Sequence, residues 1–498
     1  MNTNTMQSII RLSLILLLIV LVTFSGLYER VPVNDGSGWD GKLYREIATN
    51  FDSIMEQGGL SSYYVSKSLP FVTIYAINQV LNVSPASRLL FVFLYVSLVL
   101  GIVGFYKIVK YKQLSLPAEI VAFALCFYIY PVLKLIGYYP WSGDHFAYPL
   151  GIWIYYFFLS GQKNKMLLLS IVRAFVWQSI LPISVLLYIL PDEPFSVMDG
   201  RNVTKIQNRI HWALKILLCI MVCSLPLIRM CFAINREGYS VIPSYLSYNR
   251  ILSIVGMGIY VFVILKPLNF NIINALNTLW RHIKWKNVVI GIMTYVSVKS
   301  IIYLLANPLV DTPVSTMEII KRILFEPFGD KPLKFLECHL IYYGLLVPFL
   351  IVFYKEVLSF IGKAGISYLG VFFFTLVMLT QCESRFVINL IPFIVFPIVV
   401  YLSSVELKRW IPLCVIFCQL FFSRIWYKIN VEGIESALLY DNHLQYELSN
   451  LAQRYFVAHG PWQGTRAYCI YASLFIIILF LLIVGRKYNF FTKKHNAS

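Results

Sequence analysis

The sequence predicts an all-α, polytopic membrane bundle, and three observations carry that expectation. Of 498 residues, 58% are hydrophobic and only 13% charged, whereas soluble domains run at about half apolar and a quarter charged. Mean hydropathy is +0.70. Many separate apolar runs approach the ~20 residues needed to cross a bilayer, and they lack the ~10-residue alternation of an outer-membrane barrel. The net charge of +18 sits in short loops, the orientation signal of cytoplasmic loops. The bilayer is therefore the expected partner, and nucleic acid is rejected. The cysteines fall mostly inside apolar runs and no C-x-x-C pair occurs, which speaks against cysteine metal or redox chemistry.

The first helix starts near Arg11 and continues through Phe24, Leu27 and Tyr28. No A-x-A-like cleavage site follows, so it is read as retained. Residues 39–55 form an amphipathic helix: Trp39, Leu43, Tyr44, Ile47, Ala48, Phe51, Ile54 and Met55 recur at helical spacing. Its stripe is expected to lie in the lipid interface, ending at Gly58-Gly59. The apolar segment 69–83 is short and contains Asn78, Gln79 and Asn82. It reads as a re-entrant or interfacial helix, because a crossing there would put Lys107, Lys110 and Lys112 outside. Helix two runs from Ser87 to Val109. Further spans are expected near 116–137, 146–160, 165–175, 177–191, 213–234, 250–267, 287–306, 340–356, 364–381, 386–405, 409–427 and 468–487, about 14 crossings with both termini cytoplasmic. Two membrane modules follow, 1–306 and 307–498. Lys163 with Lys165, the 266–286 basic cluster, Lys355 with Lys363, Lys408 with Arg409, and Arg486 with Lys487 mark the inner side. Four outer segments remain: 29–86, 138–145, 307–339 and 428–467.

Chemistry is expected on that outer side, because the inner loops are short and basic. Asp40 opens the amphipathic helix. It is placed either to cap the helix or to act as an ionised base, and the two roles are compatible. Asp144, in Trp141-Ser142-Gly143-Asp144-His145, is likewise a helix cap or a second acid. It can share a cavity with Asp40, one acting as base and the other orienting a sugar hydroxyl or a divalent metal. His145 reads as an interfacial histidine with a lesser claim on substrate. Glu383-Ser384-Arg385-Phe386 enters an apolar span, where unpartnered charge is costly. Arg385 is either a clamp for a phosphate or a side chain snorkelling to lipid. Lys321 and Arg322 are either phosphate ligands or part of a solvated charged face. Arg173 lies near Trp177 and Gln178 where the short helix pair turns, and Tyr440, Asp441, His443, Tyr455, His459 and Trp462 suit either an acceptor site or an aromatic belt. No metal-binding signature, Gly-rich phosphate loop or G-x-S-x-G is present.

Trp39-Asp40-Gly41-Lys42-Leu43-Tyr44-Arg45-Glu46-Ile47-Ala48, directly after the first helix, resembles the YDGQFYxxIA signature of bacterial GT-C superfamily glycosyltransferases. Trp39 replaces the usual Tyr and Lys42 the usual Gln. The resemblance covers the N-terminal third, and the C-terminal third by topology only. It implies a GT-C-like fold with the catalytic acid in the first outer loop. It also implies a second acid on the turn holding Asp144, where Glu is more usual, and an acid-x-Arg-aromatic element matching Glu383 to Phe386. The implied activity is inverting transfer of a sugar from a polyprenyl-phosphate carrier to an envelope glycan, lipid or protein. Asp40 and Asp144 would then be catalytic. Lys42, Tyr44, His145, Arg173, Lys321, Arg322, Glu383 and Arg385 would bind substrate, at the periplasmic face of a bacterial inner membrane. The alternatives are a polymerase of lipid-linked repeats, which would not need the Asp40 motif, and a non-enzymatic lipid or glycan flippase.

Overall fold

In hydrocarbon, a lone segment satisfies its backbone N–H and C=O groups only as a helix, and the apolar runs of this chain are helical. The computed structural model describes residues 3–31, 33–81, 86–195, 205–237, 247–268, 272–310, 316–329, 331–429, 463–488 and 490–493. In chain order these hold α1 (Thr3–Tyr28), α2 (Trp39–Glu56), α3 (Ser62–Val65), α4 (Leu69–Leu81), α5 (Ala86–Lys112), α6 (Leu116–Phe127), α7 (Tyr130–Leu133) and α8 (Leu135–Tyr138). Then come α9 (Asp144–Leu159), α10 (Lys163–Arg173), α11 (Ile180–Ile189), α12 (Lys205–Glu237), α13 (Tyr248–Leu265), α14 (Ile272–His282), α15 (Trp285–Leu305) and α16 (Thr316–Phe325). The last are α17 (Lys334–Tyr343), α18 (Leu346–Val352), α19 (Tyr354–Ala364), α20 (Ile366–Met378), α21 (Ile391–Ser403), α22 (Trp410–Phe422) and α23 (Thr465–Lys487). Two 3₁₀ turns, Glu326–Phe328 and Ser384–Leu390, join them. Two short strands, β1 (Val405–Leu407) and β2 (Phe491–Lys493), pair antiparallel with Val405 opposite Lys493.

Among the described residues, seven helices are long and apolar enough to cross a membrane: α1, α5, α12, α13, α15, the run Ser384–Ser403 through α21, and α23. Counting each bent pair as a span gives nine. Helices α4, α11, α20 and α22 are apolar but shorter. Among the described residues, length and composition thus support seven to nine crossings. Within the expected segment 69–83, Leu69–Leu81 forms a short helix: its 13 residues rise about 20 Å, less than the ~30 Å hydrocarbon core.

Two expected straight spans are broken. Residues 116–137 bend by 62° between α6 and Tyr130–Tyr138. Pro131, in the first turn of α7, has no N–H with which to continue the α6 ladder. The expected span 340–356 turns through 120° between α17 and α18. Gly344 takes φ +63 at the break, and a Cβ there would lie 1.7 Å from Gln419 Oε1. Buried Gln419 repairs the break. Its Oε1 accepts from the Leu345 N–H (2.8 Å), and its Nε2 donates to the carbonyls of Tyr343 (3.2 Å) and Ala124 (3.3 Å).

The basic loops gather at one end of the bundle, as their charge predicts. There Ser115 N–H donates to Ser403 Oγ (2.8 Å), Lys163 pairs with Asp192 (2.8 Å), and Arg486 pairs with Glu356 (2.5 Å). The β1–β2 pairing lies beside Lys408, whose Nζ is 4.7 Å from the Phe490 ring. At the other end Val31 N–H bonds the Tyr138 carbonyl (2.8 Å) and Leu69 N–H the Phe175 carbonyl (3.1 Å). Between the ends, Lys134 forms a fully buried ion pair with Glu29, whose oxygens also accept from Ile429 N–H (2.8 and 3.1 Å).

Replacing Gln419 with Leu leaves backbone donors and acceptors unpaired in an apolar interior. Each costs roughly 1–3 kcal/mol, so Gln419→Leu should lower the thermal unfolding midpoint of the detergent-purified protein clearly, and Gln419→Glu less so.

Candidate functional site

The charged residues picked out along the sequence come from three distant segments, and the fold carries them to one end of the bundle. The first segment is seated by backbone contact. Gly38 (φ +75) precedes α2, and a Cβ on Gly41 would lie 2.7 Å from the Trp141 carbonyl oxygen and 2.8 Å from its Cβ. Gly41 N–H also donates to Tyr139 Oη (3.3 Å). The Trp-Asp-Gly turn therefore rests directly on residues 139–141, three positions before Asp144. Asp40 makes no capping bond. The N-cap position is Gly38, and the Asp40 carboxylate instead accepts from Tyr63 Oη at 3.2 Å.

The third segment is the 3₁₀ turn Ser384–Leu390. His339 Nε2 donates to the Leu379 carbonyl (2.8 Å), which leaves Nδ1 to accept from Ser384 Oγ (2.9 Å). Tyr343 Oη donates to the Ser384 carbonyl (2.5 Å). Ser384 is thus pinned between Glu383 and Arg385. Arg385 Nε lies 2.5 Å from Glu383 Oε1, and Arg322 Nη1 lies 3.6 Å from Glu383 Oε2. The charged neighbours of Arg385 are Glu383, Asp144 and Asp40.

Lys67, between α3 and α4, completes the cluster. Its Nζ stands 3.6 Å above the Tyr63 ring and 4.8 Å from that of Trp177, a cation–π seat that suits a desolvated ammonium. Its charged neighbours are Arg385, Asp40, Asp144 and Glu383. Burial, with the Arg385 charge adding to it, brings its pKa down to about 8; the three carboxylates oppose the shift. Burial pushes Asp144 up to about 6, against the pull of Arg385 and Lys67. Asp144 Oδ1 is buried without a hydrogen-bond partner, so it is an acceptor still to be used.

Several expected site residues stand elsewhere. Lys42 and Lys321 are exposed, on faces that the charged cluster does not use. Tyr44 is buried in packing: its ring stacks on Phe71 at 4.6 Å and meets Tyr64 edge-on at 6.0 Å. The apolar face of α2 accordingly covers α4. Gly41, Tyr44, Ile47 and Ala48 are buried in protein rather than in lipid, while Trp39 and Met55 stay exposed. His145 is a structural residue, its Nε2 bonded to the Tyr139 carbonyl at 2.9 Å. Arg173 is fully buried and donates to the Ala147 carbonyl at 2.6 Å, one turn into the helix that Asp144 opens. Arg322 does join the cluster, through Glu383. Residues 430–462, with the expected acceptor-site aromatics, lie outside the described residues.

Sequence reasoning missed Lys67, Tyr63 and the seat that Trp177 provides. The signal was Ser-Tyr-Tyr-Val-Ser-Lys at 62–67, a lone cation just before an apolar helix and inside the loop already marked as functional. Glu326 is a half-buried acid that burial and Glu383 together push up to about 7. Among the described residues no three His, Cys, Asp or Glu side chains converge to hold a metal ion. Lys67 and Arg385 are cations beside these acids, so the carboxylates already have positive partners without the divalent metal considered from sequence. No protein-family model matches the chain, and neither a curated protein nor a solved structure does.

Two expectations follow. Folded Lys67 releases its proton near pH 8, whereas an ordinary lysine holds it to 10.5. The unfolded chain therefore binds more protons in that window, and stability should rise with pH between about 8 and 10.5. Thermal midpoints across pH should show this slope in the wild type and lose it in Lys67→Met. Gly41→Ala forces Cβ against the Trp141 backbone and should destabilise by about 1–3 kcal/mol, read as a lower midpoint in the same assay.

Proposed function

We propose that this chain is a GT-C-type glycosyltransferase that moves a sugar from a polyprenyl-phosphate carrier to an envelope glycan, lipid or protein acceptor. The observation that carries the reading is the meeting of Asp40, Asp144 and Glu383 with Lys67 and Arg385. A flippase would scatter such acids over separate surfaces, and a repeat polymerase has no need of the Asp40 turn.

In this reading the donor phosphate lies against Arg385 and Lys67. A planar guanidinium grips two phosphate oxygens, and a buried ammonium adds charge that low-dielectric surroundings strengthen. Tyr63 aims the Asp40 carboxylate. The acceptor oxygen attacks the anomeric carbon as Asp40 takes its proton. The carbon–oxygen bond to phosphate breaks on the opposite side, and polyprenyl phosphate leaves with the electron pair. Configuration at the anomeric carbon inverts. Asp144, with its unused oxygen, orients a sugar hydroxyl. Catalysis here is mainly positioning and charge neutralisation.

A lipid-borne donor also needs somewhere to lay its chain. An apolar cavity of about 340 Å³ is lined by Leu218, Val222 and Val261 on one side and Ile323, Val377 and Thr380 on the other. Ile323 in its wall follows Arg322, which reaches Glu383, so α16 contributes both to this apolar surface and to the charged cluster.

Asp40→Asn keeps the shape and removes the base. Transfer from polyprenyl-phosphate monosaccharides, followed as release of polyprenyl phosphate by purified protein, should fall by about 10²–10⁴ with an unchanged thermal midpoint. Full activity in Asp40→Asn sinks the base role. Turnover only of preassembled lipid-linked oligosaccharides would establish the polymerase instead.

A further inference from the structure

On the side of α2 turned away from Asp40 lies a second polar pocket, of about 480 Å³, with Arg30, Asp35, Arg45, Thr49, Asn78 and Ser87 in its wall. Arg45 follows Asp40 by five positions, about 140° further round the helix. Two guanidiniums face one carboxylate, so the wall is net positive. Arg45 Nη1 donates to Ser37 Oγ at 3.4 Å, and Arg30 Cζ stands 5.2 Å from the Phe91 ring. Both keep further N–H groups, since a guanidinium carries five. Asn78 Oδ1 is buried and has no hydrogen-bond partner. It is an acceptor waiting for a donor, while the arginines are donors suited to an anion.

Phe91, also in the wall, belongs to the first turns of the membrane-spanning helix α5. One turn on, the Tyr95 hydroxyl meets that of Thr23 on α1 (2.7 Å), and beneath Arg30 α1 exposes Leu27, Phe24, Val20 and Leu16, a stripe at helical spacing. The pocket is therefore the polar head of a surface whose lower part is apolar.

We propose that this pocket binds the head group of an acidic, hydroxyl-bearing phospholipid of the phosphatidylglycerol type. The phosphate pairs with Arg30 and Arg45, a head-group hydroxyl donates to Asn78 Oδ1, and the acyl chains follow the α1 stripe. A free phosphate ion would satisfy the arginines but leave Asn78 Oδ1 and the stripe unused. The bound head group also braces Trp141, which lines the pocket and carries Gly41 on its other side. The assignment does not depend on the glycosyl-transfer reading, because none of its polar ligands belongs to the Asp40 cluster.

The test uses the full chain, delipidated in detergent and offered phosphatidylglycerol, phosphatidic acid, phosphatidylcholine or inorganic phosphate, with retention read by native mass spectrometry. The wild type should keep phosphatidylglycerol over phosphatidylcholine by about tenfold or more, the scale of one charge-assisted hydrogen bond. Arg30→Gln/Arg45→Gln should lose that preference, whereas Lys110→Gln/Lys112→Gln, with the same charge removed at the other end of α5, should keep it. If the glutamine pair fails to fold, Arg30→Lys/Arg45→Lys keeps the charge without the planar fork and should weaken the preference in part. Asn78→Ala should erase discrimination between phosphatidylglycerol and phosphatidic acid. Equal retention of phosphatidylglycerol and phosphatidylcholine by the wild type overturns the proposal, as does undiminished preference in the glutamine or lysine pair. Displacement of the lipid by millimolar phosphate makes the ligand a free ion and overturns it too.

Discussion

Charge that is taken out of water must be answered by charge, and the upper part of this bundle is organised by that constraint. Asp144, Glu383 and Lys67 are all buried, where a single uncompensated ion costs several kcal/mol. Only the Glu383–Arg385 turn supplies both signs by itself, and the other charges of the cluster come from separate segments. The carboxylates come from the turn after α1, the start of α9 and the turn before α21, and the cations from the α3–α4 junction, from α16 and from beside Glu383. Bringing them together requires that α2 lie on residues 139–141, that α4 fold back under α2, and that Ser384 be held by His339 and Tyr343. These contacts are made by the close approach of Gly41, by Tyr44 stacking on Phe71 and by buried hydrogen bonds to Ser384, so the cluster and its scaffold depend on each other.

The balance is not complete, and this gives the cluster its chemical character. Lys67 is displaced towards neutrality and Asp144 towards protonation, and Asp144 retains an unused oxygen. Groups left in that condition are poised to respond to an arriving anion or hydroxyl. Two cations beside the acids suit a phosphate that enters bearing negative charge and leaves bearing more. Reading the site as one for sugar transfer from a lipid phosphate rests on this match between charge and reaction, together with the resemblance around Asp40.

Much of the architecture was legible along the chain because crossing a bilayer is a local property. The helices at Thr3–Tyr28, Ala86–Lys112, Trp285–Leu305 and Thr465–Lys487 follow from apolar runs of sufficient length. The basic loops gather at one end, as their charge predicts, and Asp40, Asp144, Glu383 and Arg385 were visible as charges at the edges of such runs. The breaks were not legible. An apolar run reads the same whether straight or bent, and the turn at Gly344 is stabilised by Gln419, 75 residues further on. The fates of Tyr44, His145 and Arg173 were hidden for a related reason: an aromatic, a histidine or an arginine near a site can face the substrate or the neighbouring helix, and only packing decides. Lys67 escaped notice because its partners lie on three other segments.

Asp40 and its neighbour Gly41 answer to different demands. Under the proposed glycosyl transfer the aspartate would be the base, and a residue of equal size in its place would leave the architecture intact. The glycine is fixed by packing: any β-carbon at its position runs into the Trp141 backbone. On that proposal, a descendant that had abandoned catalysis but kept its shape would be free to lose the acid and obliged to keep the glycine. Among such descendants, a retained glycine beside a missing aspartate would distinguish a silenced enzyme from a collapsed one.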